Sequence, residues 1–214
     1  ILLEIHCRQM AAVSRLSLRV VGDCMGKVLL LCIVLMHAFF LPPIAFAEKH
    51  IASDRTYTWL PYFVDPCSNY NVPIALALAI ARQESGTRPW VINVAGKSYF
   101  PESRSEAYAI ADQAYNAGKS FDVGIMQINS YWLKKYRIAI EEVLEPQKNI
   151  AMGVWILARE IQRYGLTWQA IGAYHTPLAR NPDRARAYAS SVISLMRSIC
   201  DHDKALRVQA NALP

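Results

Sequence analysis

A carboxylate ends an apolar stretch in the first half of the chain. The segment ALAIARQESGTRPW, residues 77–90, runs through small and aliphatic residues to Glu84 and Ser85 and then breaks at Gly86. A carboxyl group that an apolar helix carries into a cleft has a raised pKa and keeps a proton near neutral pH, as a general acid must. The alternative is that Glu84 is a solvated residue in the last turn of a core helix.

A second stretch, FDVGIMQINSYW at residues 121–132, interleaves apolar and amide side chains. Gly124 permits a tight turn or a close approach of the backbone. The amides of Gln127 and Asn129 can hydrogen-bond the hydroxyl and acetamido groups of a sugar. The alternative is a hairpin whose amides cap its own backbone.

A third stretch, AIGAYHTP, places Tyr174 at the end of another apolar segment. In this order, ARQESG, DVGIMQINSYW and AIGAYH resemble the lysozyme-like domain of soluble lytic transglycosylases, whose motifs run E-S, G-L-M-Q-I and A-Y-N. The resemblance covers roughly Asp65 to Arg197. It is closest to the small exported members that accompany secretion, conjugation and pilus systems.

The resemblance implies a mostly helical fold of the α+β lysozyme-like kind, a goose-type-lysozyme-like domain with a minor β and loop region lining a glycan groove. It also implies cleavage of the bond between N-acetylmuramic acid and N-acetylglucosamine in peptidoglycan, leaving a 1,6-anhydromuramoyl end. One glutamate protonates the leaving oxygen and then, as a base, lets the 6-hydroxyl of the sugar attack C1. The expected partners are glycan strands and components of a secretion, conjugation or pilus machine.

The resemblance assigns roles only to positions that match its motifs. Glu84 matches the catalytic acid and Tyr174 the tyrosine beside it. The predicted substrate-binding positions are Ser85, Gly124, Met126, Gln127, Asn129 and His175. His175 departs from the family because it replaces the asparagine of A-Y-N, and residues 98–120 form an insertion that we expect to contain an extra helix.

Two other functions remain open from the sequence. Asp122 is the nearest motif carboxylate that could make the protein a hydrolytic muramidase, which needs a base for water. The domain could also be a wall-binding assembly module without turnover. The sequence has no H-E-x-x-H, G-x-S-x-G or phosphate-loop motif, and we expect no metal and no cofactor.

The N-terminal region carries an export signal. Lys27 precedes an apolar run from Val28 to Leu41, which is followed by two prolines and the small residues Ala45 and Ala47. This order predicts a signal peptide over residues 25–47, cleaved after Ala47, and a periplasmic protein. The alternative is an uncleaved inner-membrane anchor. Residues 1–24 are interpreted as an upstream extension.

Export changes the interpretation of the cysteines. Of five cysteines, only Cys67 and Cys200 lie beyond the predicted cleavage site. Two cysteines in an oxidising compartment predict one disulfide. The alternative is a pair of buried thiols.

Apolar periodicity and capping residues predict the helices that must position these motifs. Pro73 predicts a helix over 73–85, and Ser103 with Glu106 predicts a capped helix that ends at Gly118. Three further helices are expected: one from Pro146 to Gly165, one capped by Thr167 and running through Tyr174, and one after Asn181-Pro182. The last places Tyr188, Val192, Leu195 and Ile199 on one face. Strand signals are confined to residues 121–128. We expect an N-terminal segment at 48–64, one domain at 65–200 and a tail at 201–214.

Composition agrees with a folded and basic protein. The 214 residues are 53% hydrophobic and 19% charged, which is enough to bury a core. The formal charge of +6 suggests an acidic partner, which charge alone leaves open among nucleic acid, an anionic membrane surface and a negatively charged polymer such as the bacterial cell wall. Because the basic residues are scattered and follow no nucleic-acid-binding signature, no nucleic acid partner is expected.

Overall fold

Helices make up most of the computed structural model, which describes residues 55–203, 205 and 206. The helices of this part are α1 (Arg55–Thr58), α2 (Leu60–Tyr70), α3 (Ile74–Ser85), α4 (Arg104–Asn116), α5 (Ser130–Tyr136), α6 (Ile140–Val143), α7 (Pro146–Tyr164), α8 (Trp168–His175) and α9 (Pro182–His202). The strands are β1 (Ile92–Val94), β2 (Lys97–Tyr99), β3 (Phe121–Val123) and β4 (Ile128–Asn129). The predicted fold, mostly helical with a minor β region, is confirmed.

Helix α3 forms the centre of the core. Every residue from Ala75 to Ala81 is buried, and the helix packs against α2 on one side and α9 on another. It ends at Gly86, which has a φ of 60° and donates its N–H to the carbonyl of Arg82. Glycine adopts this left-handed conformation at little cost, so the helix stops just after Glu84.

A small antiparallel sheet stands beside the helices, with the strand order β2-β1-β3-β4. Strand β1 pairs with β2 and β3, with Asn93 opposite Ser98 and Asp122. The sequence indicated strands only around residues 121–128, because β1 and β2 are three residues each and β2 is mostly exposed. The β1–β2 turn is held by Asn93, whose side chain accepts a hydrogen bond from the N–H of Gly96.

The insertion at 98–120 contains the expected helix, α4. Ser103 caps it by accepting a hydrogen bond from the N–H of Glu106, as predicted. The carboxylate of Glu106 accepts from the N–H of Glu102 instead of completing the reciprocal bond of a capping box. Ala107, Ala111 and Ala114 are buried, and α4 packs on β1 and β3. The insertion therefore covers one face of the sheet.

The last three helices confirm the predicted starts and stops with one difference. The side chain of Asn181 caps α9 by accepting from the N–H of Arg184. Thr167 precedes α8, but its hydroxyl donates to the carbonyl of Tyr164 instead of capping the helix. Helices α8 and α9 approach so closely that a Cβ at Gly172 would collide with the backbone of Ala185.

Several predictions on the termini lie outside the described residues. These are the extension at 1–24, the signal peptide at 25–47 and its cleavage site, and most of the tail at 201–214. Within the described part of the chain, no helix is both long and apolar enough to cross a membrane.

The structure contains no disulfide between Cys67 and Cys200, the pair predicted to form one. The side chains of Cys67 and Cys200 are both buried. Burial raises the pKa of the Cys67 thiol to about 12, so this thiol is protonated at neutral pH. The disulfide therefore stays a prediction for protein recovered from an oxidising compartment.

Candidate active site

Glu84 lies in the last turn of α3 with its carboxyl group almost enclosed. Its side chain is 13% exposed, and the hydroxyl of Tyr188 donates to its Oε1 at 2.6 Å. Burial raises the pKa of Glu84 to about 7; the Tyr188 hydrogen bond opposes this shift and the charge of Asp122 adds to it. A carboxyl group with this pKa is about half protonated at neutral pH. Glu84 is thus not the solvated surface residue of the alternative interpretation.

Tyr188 was not predicted as a site residue. Its place on the apolar face of α9 indicated core packing, and the residue is indeed 8% exposed. The signal that could have found it is general: a buried tyrosine hydroxyl needs a hydrogen-bond partner. Here that partner is the Glu84 carboxyl, 104 residues away in the sequence.

Tyr174 lies near Glu84 but bonds elsewhere. Its hydroxyl donates to the carbonyl of Met126 at 2.7 Å. Burial raises the pKa of Tyr174 well above its ordinary value, and the charges of Glu84 and Asp122 raise it further. The phenol is therefore neutral, and it ties the end of α8 to the β3–β4 loop.

His175 forms one wall of the Glu84 environment. Its Nδ1 lies 3.9 Å from Oε1 of Glu84, and its ring stacks on Tyr188 with centroids 4.6 Å apart and planes 5° from parallel. Burial, followed by the charge of Arg184, lowers the pKa of His175. The imidazole is therefore neutral near pH 7, and at 3.9 Å it makes a contact with Glu84 instead of an ion pair.

The β3–β4 loop, residues 124–127, carries the second motif. Gly124 has a φ of 82°, and a Cβ there would collide with the side-chain amide of Asn149. The side chain of Met126 is fully buried and lies against Gly153. Gln127 has a φ of 46°, and its Nε2 donates to the carbonyls of Val91 and Gly124. Both N–H groups of the Gln127 amide thus have partners inside the protein.

Three side chains from three helices hold successive backbone groups of this loop. Ser85 of α3 donates to the carbonyl of Ile125 at 2.8 Å, and Tyr174 of α8 donates to the carbonyl of Met126. Asn149 of α7 accepts from the N–H of Met126 at 2.8 Å. Ser85 and Met126 are both buried, so in the structure they contribute to the support of the loop, and their binding of substrate stays a prediction.

Asn149 is the second residue that the sequence analysis missed. It is fully buried, and its Nδ2 donates to the carbonyls of Val123 and Val143 while its Oδ1 binds Met126. It lies in the first turn of α7. An asparagine near the start of a helix ordinarily indicates only that a helix begins there, so no sequence signal indicated its long-range bonds.

Asp122 and Asn129 face each other across β3 and β4. Asn129 donates to Oδ1 of Asp122 at 2.7 Å, and its own Oδ1 caps α5 by accepting from the N–H of Tyr131. Burial raises the pKa of Asp122, and the hydrogen bond from Asn129 opposes that shift. Asn129 was predicted to bind sugar, and in the structure its amide orders Asp122 and the start of α5.

The described residues contain no cluster of three or more histidine, cysteine, aspartate or glutamate side chains that could hold a metal ion. What they bring together is one proton-carrying carboxyl, Glu84, with two tyrosines, one histidine and a second carboxylate around it. This arrangement suits acid–base chemistry by a single carboxyl group.

Comparison with known proteins identifies the class to which this fold and site belong. Residues 61–194 match the model of the transglycosylase SLT domain, so the chain belongs to that family. The chain is 27% identical to invasion protein IagB of Salmonella typhimurium over 186 residues, which cover 82% of this chain and 99% of the relative. No solved structure matches the chain.

Two further relatives match the chain over shorter lengths. Type IV secretion system protein virB1 of Brucella abortus is 35% identical over 102 residues, which cover 46% of this chain and 42% of the relative. Protein IpgF of Shigella sonnei is 30% identical over 128 residues, which cover 58% and 70% respectively.

Proposed function

We propose that the protein is a lytic transglycosylase that cleaves the glycosidic bond between N-acetylmuramic acid and N-acetylglucosamine in peptidoglycan and leaves a 1,6-anhydromuramoyl end. The observation that carries this proposal is the state of Glu84, which is nearly buried, bonded to Tyr188 and has a pKa of about 7. Membership of the transglycosylase SLT domain family supports the substrate and the type of reaction.

In the proposed reaction Glu84 acts twice. Its protonated carboxyl first gives its proton to the glycosidic oxygen as the bond from C1 to that oxygen breaks. The resulting carboxylate then takes the proton of the muramoyl 6-hydroxyl while O6 bonds to C1. Glu84 ends protonated again, and water is not consumed. Because the nucleophile belongs to the same sugar, the second step gains from proximity.

Tyr188 and His175 act in this proposal through Glu84. The Tyr188 hydroxyl occupies Oε1 and so leaves Oε2 to carry the proton toward the substrate. The His175 ring, stacked on Tyr188, restricts the tyrosine to this position. Tyr174, fixed by the Met126 carbonyl, places its neutral phenol beside the same carboxyl.

A second candidate is a hydrolytic muramidase, and one observation favours it. The charge of Asp122 raises the pKa of Glu84, so the two carboxyl groups are close enough to interact. Asp122 could then serve as the base for an attacking water. Against this role, Oδ1 of Asp122 already accepts a hydrogen bond from Asn129.

The setting that we propose is the bacterial periplasm, after export and removal of residues up to Ala47. There the enzyme opens the wall locally while a secretion, conjugation or pilus machine is assembled. The signal-like sequence of residues 25–47 supports export. The names of two relatives, an invasion protein and a type IV secretion system protein, support the link to such machines.

The pH dependence of wall cleavage tests the role of Glu84 and Tyr188. Since the acid must be protonated in the free enzyme, kcat/KM on purified cell-wall sacculi should fall above pH 7, about tenfold per pH unit. The hydrogen bond from Tyr188 lowers the pKa of Glu84, so Tyr188→Phe should move this fall to higher pH. Tyr70→Phe, at a tyrosine 47% exposed on α2, is the control. An alkaline limb that Tyr188→Phe leaves in place, or moves to lower pH, would contradict this role.

A further inference from the structure

Helices α5 and α7 carry a cluster of aromatic rings at the protein surface. Trp132 stacks on Tyr136 with the ring centroids 5.9 Å apart and the planes 6° from parallel. Trp155 meets these two rings edge-on, with centroids 5.6 and 5.4 Å away, and Tyr131 meets Trp132 edge-on at 5.2 Å. Tyr131 is 56% exposed and Tyr136 is 45% exposed, so the cluster reaches solvent.

Two exposed cations lie on this cluster. Nζ of Lys135 is 5.4 to 5.7 Å from the centroids of three of the rings. The guanidinium of Arg159 lies 5.2 Å from the ring centroid of Trp132 and 4.9 Å from that of Trp155. Its Nη1 also donates to the hydroxyl of Tyr136 at 3.2 Å. The rings therefore hold both cations in place while their charges stay at the surface.

Arg163 extends the positive charge along α7. It lies one turn after Arg159, and the two side chains line one hollow of about 320 Å³ together with Glu160 and Gln162. Glu160 is the only acidic residue of α5 and α7. Within the part of the chain that the structure describes, Lys135, Arg159 and Arg163 form no ion pair. The fold thus leaves this positive charge uncompensated.

The exposed side of α5 and α7 has no aliphatic centre. The large hydrophobic side chains that these two helices expose are Tyr131 and Tyr136, while their leucine, isoleucine and valine side chains are buried or half-buried. A stable protein interface has an apolar core that becomes fully buried. Tyrosine instead suits the headgroup layer of a lipid bilayer, and lysine and arginine suit its anionic phosphates. The composition therefore favours a lipid surface over a protein partner.

We propose that anionic phospholipids of a bacterial membrane bind the α5–α7 surface, which consists of Lys135, Arg159, Arg163, Tyr131 and Tyr136, and that this contact holds the exported enzyme at the membrane. The lipid phosphates pair with the three cations, and the two tyrosine rings enter the headgroup layer. Since the attraction is between exposed charges, it weakens as the salt concentration rises. The inference goes beyond the proposed function and does not depend on the role of Glu84.

Sedimentation with lipid vesicles tests the inference. The protein is residues 48–214, which contain the whole described fold and lack the apolar run at 28–41 that would itself enter a bilayer. It should sediment with vesicles that contain two parts of phosphatidylcholine to one part of phosphatidylglycerol. It should bind vesicles of phosphatidylcholine alone far less, and concentrated sodium chloride should release it from the anionic vesicles.

Removal of two charges should weaken this binding strongly. Lys135→Gln with Arg159→Gln should lower the partition coefficient about thirtyfold, since each basic residue at an anionic surface contributes roughly a factor of five. The matched control is Lys97→Gln with Arg88→Gln, which removes two exposed cations that also lie over aromatic rings. Lys97 is in β2 and Arg88 lies over Phe100 just after it, at the opposite edge of the sheet from β4, which leads into α5. The control should weaken binding less than about threefold.

Two further variants separate the charge of the surface from its packing. Lys135→Arg with Arg159→Lys keeps both charges and should retain binding. Arg163→Gln removes one exposed cation from outside the ring cluster and should weaken binding about fivefold even where the double glutamine variant does not fold. Circular dichroism checks the folding of each variant.

Several results would overturn the inference. These are no binding to the anionic vesicles, equal binding to neutral vesicles, an equal loss in the Lys97 and Arg88 control, or an equal loss in the variant that keeps both charges. Binding of poly-L-glutamate without binding of vesicles would also overturn it, and would identify an acidic protein as the partner of this surface.

Discussion

Glu84→Gln should reduce the cleavage of purified sacculi at least about a hundredfold, the usual lower scale of general acid catalysis. The amide retains the shape of the side chain and can still accept the hydrogen bond from Tyr188, but it has no proton to give. The measurement is the rate of release of soluble muropeptides at pH 6, where the wild-type carboxyl is mostly protonated.

The same substitution should stabilise the fold at alkaline pH. The folded-state pKa of Glu84, about 7, is above the ordinary value of 4.5 for an accessible glutamate, so stability that is fully present below pH 4.5 is lost as pH rises through 7. At pH 8 the free energy of unfolding of Glu84→Gln should therefore exceed that of the wild type, by at most about 3 kcal/mol, and the gap should close toward pH 4.

The control for both measurements is Glu142→Gln, at an exposed glutamate that pairs with Lys148. It should retain activity and change stability by less than about 0.5 kcal/mol. Substantial cleavage by Glu84→Gln would show that another group is the acid. Unfolding of Glu84→Gln at every pH would show that the carboxyl serves the structure instead.

Asn149→Ala should lower the free energy of unfolding by about 3 kcal/mol or more. It leaves the N–H of Met126 and the carbonyls of Val123 and Val143 without the partner that they have in the wild type, and each buried unpaired group costs about 1 to 3 kcal/mol. Urea unfolding monitored by circular dichroism measures the loss. Activity should fall as well, because the 124–127 loop loses its support from α7.

The matched control is Asn116→Ala, at an exposed asparagine in the last turn of α4 that bonds only the side chain of Asp112 in the described structure. It should change the free energy of unfolding by less than about 0.5 kcal/mol. Equal effects of the two substitutions would contradict the role assigned to Asn149.

Local signals explain which elements could be predicted from the sequence. The starts of α4 and α9 depend on Ser103 and Asn181, whose side chains bond the backbone three residues ahead, and the end of α3 depends on Gly86. These are short-range rules of helix chemistry. The β1–β2 hairpin escaped prediction because each of its strands has only three residues and β2 is mostly exposed, which leaves no alternating pattern to recognise.

The residues of the candidate site could likewise be predicted only in part. Glu84 and Tyr174 follow from motifs, and the structure places them in one cluster. Tyr188 and Asn149 act over 104 and 23 residues of separation, through partners that no sequence spacing indicates. Ser85 and Met126 are buried, and Ser85 holds the loop from inside, which the motifs did not indicate. Long-range hydrogen bonds of this kind become visible only once the helices are packed.

The chemical nature of the cleavage product tests the transglycosylase proposal most directly. Purified glycan strands digested with the mature protein should release muropeptides about 18 Da lighter than hydrolytic products, without a muramic acid end that borohydride can reduce, since one carboxyl group acts without water. Mass spectrometry before and after borohydride treatment measures both properties. Asp122→Asn should leave this product unchanged. Reducible muramic acid ends as the main product, together with a collapse of activity in Asp122→Asn, would contradict the account and make Asp122 the base for an attacking water.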